Sequence, residues 1–192
     1  MNFTFLEVDN SELLEKVFAF RYKVMSETKM FQGYFLENDF QDEKESDIFD
    51  PYSVHFAALD DEGEVCATVR LIYNCPHGYP TENCMIFDKD IFERDKLGEM
   101  SRIFIDSKYR NIQTTKIIIQ HVKEFMYEKM MGLGVEYTYG ALEPRFIRLL
   151  KMYKMCYEIL AQKQMHGKMG LRHPCILYTK RLGDDNPEFV KV

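Results

Sequence analysis

The chain has 192 residues, 46% of them hydrophobic, and a formal net charge of −6. That length supports one domain with a real core, and we expect a single domain over residues 1–182 followed by a tail over 183–192. No run of about 18 apolar residues exists, which excludes a membrane-spanning helix.

The N-terminal M-N-F-T-F-L-E-V-D lacks a basic flank and an apolar stretch, so the chain is expected to be cytoplasmic. Its five cysteines are odd in number, far apart and never C-x-x-C, which argues against a disulfide framework, a zinc ribbon or any other metal site. Charge is unevenly spread. Residues 1–64 hold 16 acids and 5 bases, whereas residues 141–182 hold 9 bases and 2 acids. With no nucleic-acid motif beside it, the basic part is read as a solvated face or a dock for an acidic protein.

Phe3–Val8 reads as a strand, and Asn10 or Ser11 caps a helix running to about Met25. Its apolar stripe is Leu13, Leu14, Val17, Phe18, Val24 and Met25, and Arg21 falls on that stripe. An arginine among core positions needs a carboxylate or a ligand. Residues 28–44 lack clean periodicity but are rich in aromatics, so short helical or irregular cover over a site is expected. An acidic turn, E-S-D-I-F-D-P, follows with Asp47 and Asp50. Residues 54–59 and 65–73 read as a hairpin, with Arg70 a second arginine inside a strand. Residues 77–80 read as a loop and Ile86-Phe87 as an apolar anchor.

Leu97–Asp106, L-G-E-M-S-R-I-F-I-D, is the central strand, yet it carries Glu99, Ser101 and Arg102. Period-two counting puts Glu99 and Ser101 on one face and Arg102 on the other unless a bulge intervenes. Arg21, Arg70 and Arg102 are expected to meet Asp47, Asp50 and Glu99 in one buried cluster. A helix starts near Ile112 and ends at Gly132 or Gly134. A strand over 135–141 and a helix opened by Pro144 come next. That helix turns Phe146, Leu149, Leu150 and Tyr153 inward and Arg145, Arg148, Lys151 and Lys154 outward. Residues 156–161 and 174–180 read as strands, and the tail from Gly183 is expected to fray. The order predicts an α/β fold, a mixed β-sheet with helices on both faces.

Six pieces in order carry a family resemblance: R-Y-K-V-M-S-E at 21–27, E-S-D-I-F-D-P-Y-S-V-H-F at 45–56, T-V-R-L at 68–71, E-M-S-R-I-F at 99–104, L-E-P-R-F-I-R-L-L at 142–150 and H-G-K-M-G-L-R-H-P-C at 166–175. The chain resembles the autoinducer-synthase and N-acyl amino acid synthase branch of the GNAT superfamily, most closely the acyltransferases associated with PEP-CTERM/exosortase systems. The resemblance implies a GNAT-like sheet and a shared polar cluster of Arg21, Asp47, Asp50, Arg70, Glu99 and Arg102. It also implies an acyl carrier protein as donor, and an amine, commonly an amino acid or its derivative, as acceptor.

The turn ahead of the 112 helix, R-N-I-Q-T-T from Arg110 to Thr115, has no glycine. It suits the single phosphate of a carrier-bound acyl-phosphopantetheine better than coenzyme A, with Arg110, Thr114 and Thr115 as contacts. Glu99 is the expected base. Backbone N–H groups near Ile103, Phe104 and Ile105 are expected to hold the oxyanion, and no tightly bound cofactor is needed. Phe125, Met126 and Met130 are candidates to line an acyl slot, and Arg21, Arg70 or Arg102 to bind an acceptor carboxylate. The absence of tryptophan departs from homoserine-lactone synthases and argues against S-adenosylmethionine. The alternatives are such a synthase, an acyl-coenzyme A N-acyltransferase, and a non-catalytic binder of carrier protein or lipid. The donor is expected to dock on Arg145, Arg148, Lys151 and Lys154.

Overall fold

A computed structural model describes residues 2–38, 40–167 and 169–189. In chain order the elements are β1 (Thr4–Glu7), α1 (Ser11–Ser26), α2 (Gln32–Glu37), β2 (Ser53–Leu59), β3 (Val65–Tyr73), α3 (Pro80–Cys84), β4 (Leu97–Ile105), α4 (Ile112–Leu133), β5 (Tyr137–Leu142), α5 (Pro144–Met152), β6 (Glu158–Ile159), β7 (Gln164–Met165), β8 (Leu171–Tyr178) and α6 (Thr179–Asp185). The sheet runs β1-β2-β3-β4-β5-β8-β6, with β7 also paired to β8. Only β4 and β5 are parallel neighbours; the other pairings are antiparallel. The expected GNAT-like mixed α/β sheet is therefore present.

Local sequence explains the helices that cover the sheet. Asn10 caps α1 by accepting from the Leu13 amide at 2.9 Å, and Leu13, Val17, Phe20 and Val24 then pack on Ala57 and Val65 of one face. Asn111 caps α4 in the same way, through the Thr114 amide at 3.0 Å. Ile118, Ile119, Val122, Met126 and Met130 bury the opposite face. Each such aliphatic side chain contributes about 1.5–3 kcal/mol on burial. Gly134, at φ 70°, ends α4.

The feature that matters most is a parting of strands. β4 and β5 pair at Leu97/Tyr137, Gly98/Thr138 and Glu99/Tyr139, where their pairing ends. Beyond that point β4 runs to Ile105 and β5 to Leu142 as the arms of a V. Gly98 sits at the vertex with no room for a side chain, since a Cβ there would lie 2.9 Å from the Ile72 carbonyl oxygen.

Several local expectations need correction. Residues 80–84 form a helix, because Pro80 suits a first turn and the Glu82 carboxylate accepts from the Tyr79 amide. Of the expected Ile86-Phe87 anchor, Ile86 is 86% exposed, whereas Phe87 packs on the core with its ring 5.2 Å from that of Tyr139. The strand expected over 156–161 shrinks to Glu158–Ile159, and the last strand gives way to α6 at Thr179. The tail does not fray over residues 183–189: Gly183, Asn186 and Phe189 are buried, and Lys123 donates to Asn186 at 2.5 Å. Residues 190–192 of the expected tail lie outside the described residues. Among the described residues no helix is long and apolar enough to cross a membrane.

Candidate active site

Two polar assemblies stand side by side on the α1 face of the sheet. The first is a nest of three arginines. Arg21 is fully buried and donates from Nε to Glu45 at 2.5 Å and from Nη1 to Asp50 at 2.7 Å. Arg70, also fully buried, donates from Nη1 to Asp47 at 2.6 Å and Asp50 at 2.8 Å, and from Nε to Ser101 Oγ at 3.0 Å. Arg102 donates from Nη2 to Glu45 at 2.6 Å and Asp47 at 3.0 Å. Three cations and three carboxylates therefore cancel, as buried charges must. No surplus positive charge is left for an acceptor carboxylate, so that expected role for Arg21, Arg70 or Arg102 is withdrawn.

Arg102 joins the nest through a bulge. The β3–β4 register shifts between Thr68 and Arg70, and Arg102 takes φ 54°, a left-handed conformation. For a residue with a side chain this costs about 1–2 kcal/mol. Thr68 Oγ1 donates to the Arg102 carbonyl at 3.0 Å, and the guanidinium's bonds to Glu45 and Asp47 offset the strain. Strict alternation would have sent Arg102 to the other face.

Burial by itself would raise the Glu45 pKa, but the Arg102 and Arg21 guanidiniums bring it down from 4.5 to about 2. Asp50 is likewise held below its ordinary value by Arg70 and Arg21 against burial. The folded-state pKa lies below the unfolded one, so this stabilisation is complete above about pH 4.5. It is lost as pH falls toward about 2. Circular dichroism across an acid titration should stay native at about pH 5 and collapse within that window.

The second assembly is built on Glu99. It does not belong to the nest, where Glu45 fills the place expected for it. Glu99 is 2% exposed and is gripped by the start of α3: the Thr81 amide and Thr81 Oγ1 donate to its two oxygens, each at 2.9 Å. Burial raises its pKa from 4.5 to about 7, with the Thr81 bonds and the Arg70 charge opposing the rise and Glu82 assisting it. A carboxylate titrating there is matched to general base work at neutral pH.

Glu99 opens into a cavity of about 620 Å³ between the arms of the V. Ser101, Arg102, Ile103, Phe104 and Ile105 form one wall, and Leu142, Phe146, Leu149 and Tyr153 the other. At the far end are Arg110, Asn111, Ile112 and Thr115, beside the positive end of α4. Arg110 Nε donates to the Ile105 carbonyl at 2.7 Å. Thr114 does not line this cavity: its amide is taken by the Asn111 cap and its side chain is buried. Met126 and Met130 are fully buried α4 core, and Phe125 packs with them; Met30, Met100 and Met169 are the methionines that line the cavity. Arg145, Arg148, Lys151 and Lys154 are all exposed, on or just past the helix whose inner side lines the cavity.

Sequence reasoning did not assign Glu45, Thr81, His166 or Arg172 to the site. Glu45 was visible only as one more acid in the loop that carries Asp47 and Asp50. The P-T-E run after Tyr79 was a usable helix-start signal for Thr81.

A family profile described as an acetyltransferase (GNAT) domain matches residues 20–120. No protein of curated function matches the sequence. Among solved structures, the acyl-homoserine-lactone synthase LasI superposes with TM-score 0.75 at 13% identity, covering 100% of this chain and 98% of that one. The coenzyme A-dependent acyl-homoserine lactone synthase BjaI gives TM-score 0.70 at 14% identity, covering 98% and 90%. FeeM, an N-acyl amino acid synthase from uncultured soil microbes, gives 0.67 at 11% identity, covering 96% and 94%.

Proposed function

The chain belongs to the acetyltransferase (GNAT) domain family, and from that premise we infer that it moves a fatty acyl group from an acyl carrier protein thioester to the amine of an amino acid or a similar small molecule. One observation carries this reading: a buried carboxylate with a pKa near 7 faces an apolar cavity opened by the parting of β4 and β5.

In this reading the acyl-pantetheine arm lies in the V. Its phosphate end meets Arg110, Thr115 and the start of α4, and its thioester lies near Glu99. Glu99 takes a proton from the acceptor's ammonium group. The freed lone pair attacks the thioester carbon, and the C–N bond forms. Cavity-facing backbone N–H groups of the Ile103–Ile105 arm, which no β5 pairing covers, hold the oxyanion. Collapse breaks the C–S bond, the leaving thiolate takes up the second proton lost from the nitrogen, and Glu99 releases the first to solvent. No acyl-enzyme is formed.

The exposed basic row on α5 favours a carrier protein, since an acidic partner docked there would deliver its arm beside Phe146 and Leu149. Reversing charge with Arg145→Glu and Arg148→Glu should raise KM for the carrier-borne donor on the order of tenfold, and far less for free acyl-pantetheine. The second reading, lactone formation from S-adenosylmethionine, draws on the fold shared with LasI and BjaI. To separate the readings, long-chain acyl carrier protein is incubated with pooled amino acids, with and without S-adenosylmethionine, and the products are read by mass spectrometry. N-acyl amino acids support the proposal, and a lactone supports the second reading. Equal use of acyl-coenzyme A removes the carrier inference. Donor binding without turnover would mean a non-catalytic binder.

A further inference from the structure

Arg172, at the start of β8, is buried in the cavity wall and only partly satisfied. Nη1 donates to Glu143 at 2.9 Å, while Nη2 faces the Met30 sulfur at 3.1 Å. A thioether is a weak acceptor, so a guanidinium edge is held in a desolvated wall with nothing of matching strength opposite it. His166 lies beside it, in the β7–β8 turn. Both of its ring nitrogens are buried without a hydrogen-bond partner. Burial first, then the Arg172 charge, push its pKa down to about 4, so the ring is neutral at pH 7. The Pro80 carbonyl also acts on His166, and Pro80 is joined to Thr81, which grips Glu99. The lining of the one cavity therefore includes a cation, an imidazole and a carboxylate.

We propose that Arg172, with His166 beside it, seats the carboxylate of the acceptor, so that the enzyme selects amino acids over amines that lack one. The proposal rests on the acyl-transfer reading above. A zwitterionic amino acid matches the wall: its carboxylate replaces the Met30 sulfur on Arg172, and its ammonium group points toward Glu99. A planar guanidinium edge suits a carboxylate's two oxygens. The nest arginines do not compete: Arg21 and Arg70 do not line the cavity, although Arg70 Nη2 is unpartnered, and Arg102 already serves two acids. Arg110 stands at the other end of the cavity, beside α4.

The test offers long-chain acyl carrier protein with pooled amino acids, with the matching amino acid amides and with the decarboxylated amines. The wild type should prefer the acids by about 100-fold in kcat/KM. Arg172→Gln should lose most of that preference through KM for acids, and should cost the amides far less. Met30→Glu places a rival carboxylate on Arg172 at a part-exposed position, and it should cost the acids the same preference in a protein that folds normally. Equal wild-type use of acids and amides overturns the seat and leaves acyl transfer standing. Equal loss of both acceptor classes in Arg172→Gln, with the preference kept in Met30→Glu, also overturns it and leaves Arg172 a tie to Glu143. No N-acyl product from any pool overturns the acyl-transfer reading on which the seat depends.

Discussion

Glu99→Gln is expected to lower kcat by a factor on the order of 10²–10⁴, while giving a protein that melts at a higher temperature than the wild type above neutral pH. Both effects have one cause. Glu99 is buried at the cavity wall, and its folded pKa is about 7 against an ordinary 4.5. Between those values the folded state holds a proton that the unfolded state has released. Stability therefore falls as pH rises through this window, and above it the ionised carboxylate is a standing cost. Glutamine keeps the shape and can satisfy both Thr81 groups, with its oxygen accepting from the amide and its NH2 donating to Oγ1. It removes the charge and the basicity together. Thermal unfolding at about pH 8, paired with product formation, checks the two halves. A variant that is inactive but less stable would mean that Glu99 holds the fold together and is not a base maintained at a cost.

The nest should respond in the opposite sense. Arg21→Met is expected to destabilise the protein by about 3–5 kcal/mol, because it leaves buried acids short of a counter-charge. Glu45 would keep only Arg102, and Asp50 only Arg70. Adding Glu45→Gln to Arg21→Met restores neutrality and should recover part of the loss, so a double-mutant cycle in urea should show coupling above about 1 kcal/mol. Additive losses, or an Arg21→Met cost below about 1 kcal/mol, would show that water already reaches the cluster.

What could be read in advance follows from what local patterns encode. Arg21 stood out because it occupied an apolar position on a helical stripe, and Arg70 because it interrupted a strand. Both became full members of the nest. Glu45 escaped because an acid in an acidic loop looks solvated until its partners are located, and they lie 24 and 57 residues away. The separation of Glu99 from the nest was equally hidden, since it depends on Thr81 arriving from α3. Arg102 was ambiguous because the bulge that turns it carries no glycine to announce it. Met126 and Met130 share the spacing of any core face, and only the sheet decides which methionines see the cavity. The mixed sheet with helices on two faces was legible from the order of elements, but the V between β4 and β5 was not. It is set by where pairing stops, a property of two strands and not of either one.

The most direct test follows the chemical step and the proton together. Single-turnover acyl transfer from acyl carrier protein to a saturating amino acid acceptor is measured between about pH 5 and 9, beside a carbon-13 titration of the Glu99 carboxyl assigned by its loss in Glu99→Gln. The rate should rise along the same curve as the Glu99 ionisation, with a midpoint near 7. A carboxyl that titrates near its ordinary value, with a rate indifferent to it, would contradict the account.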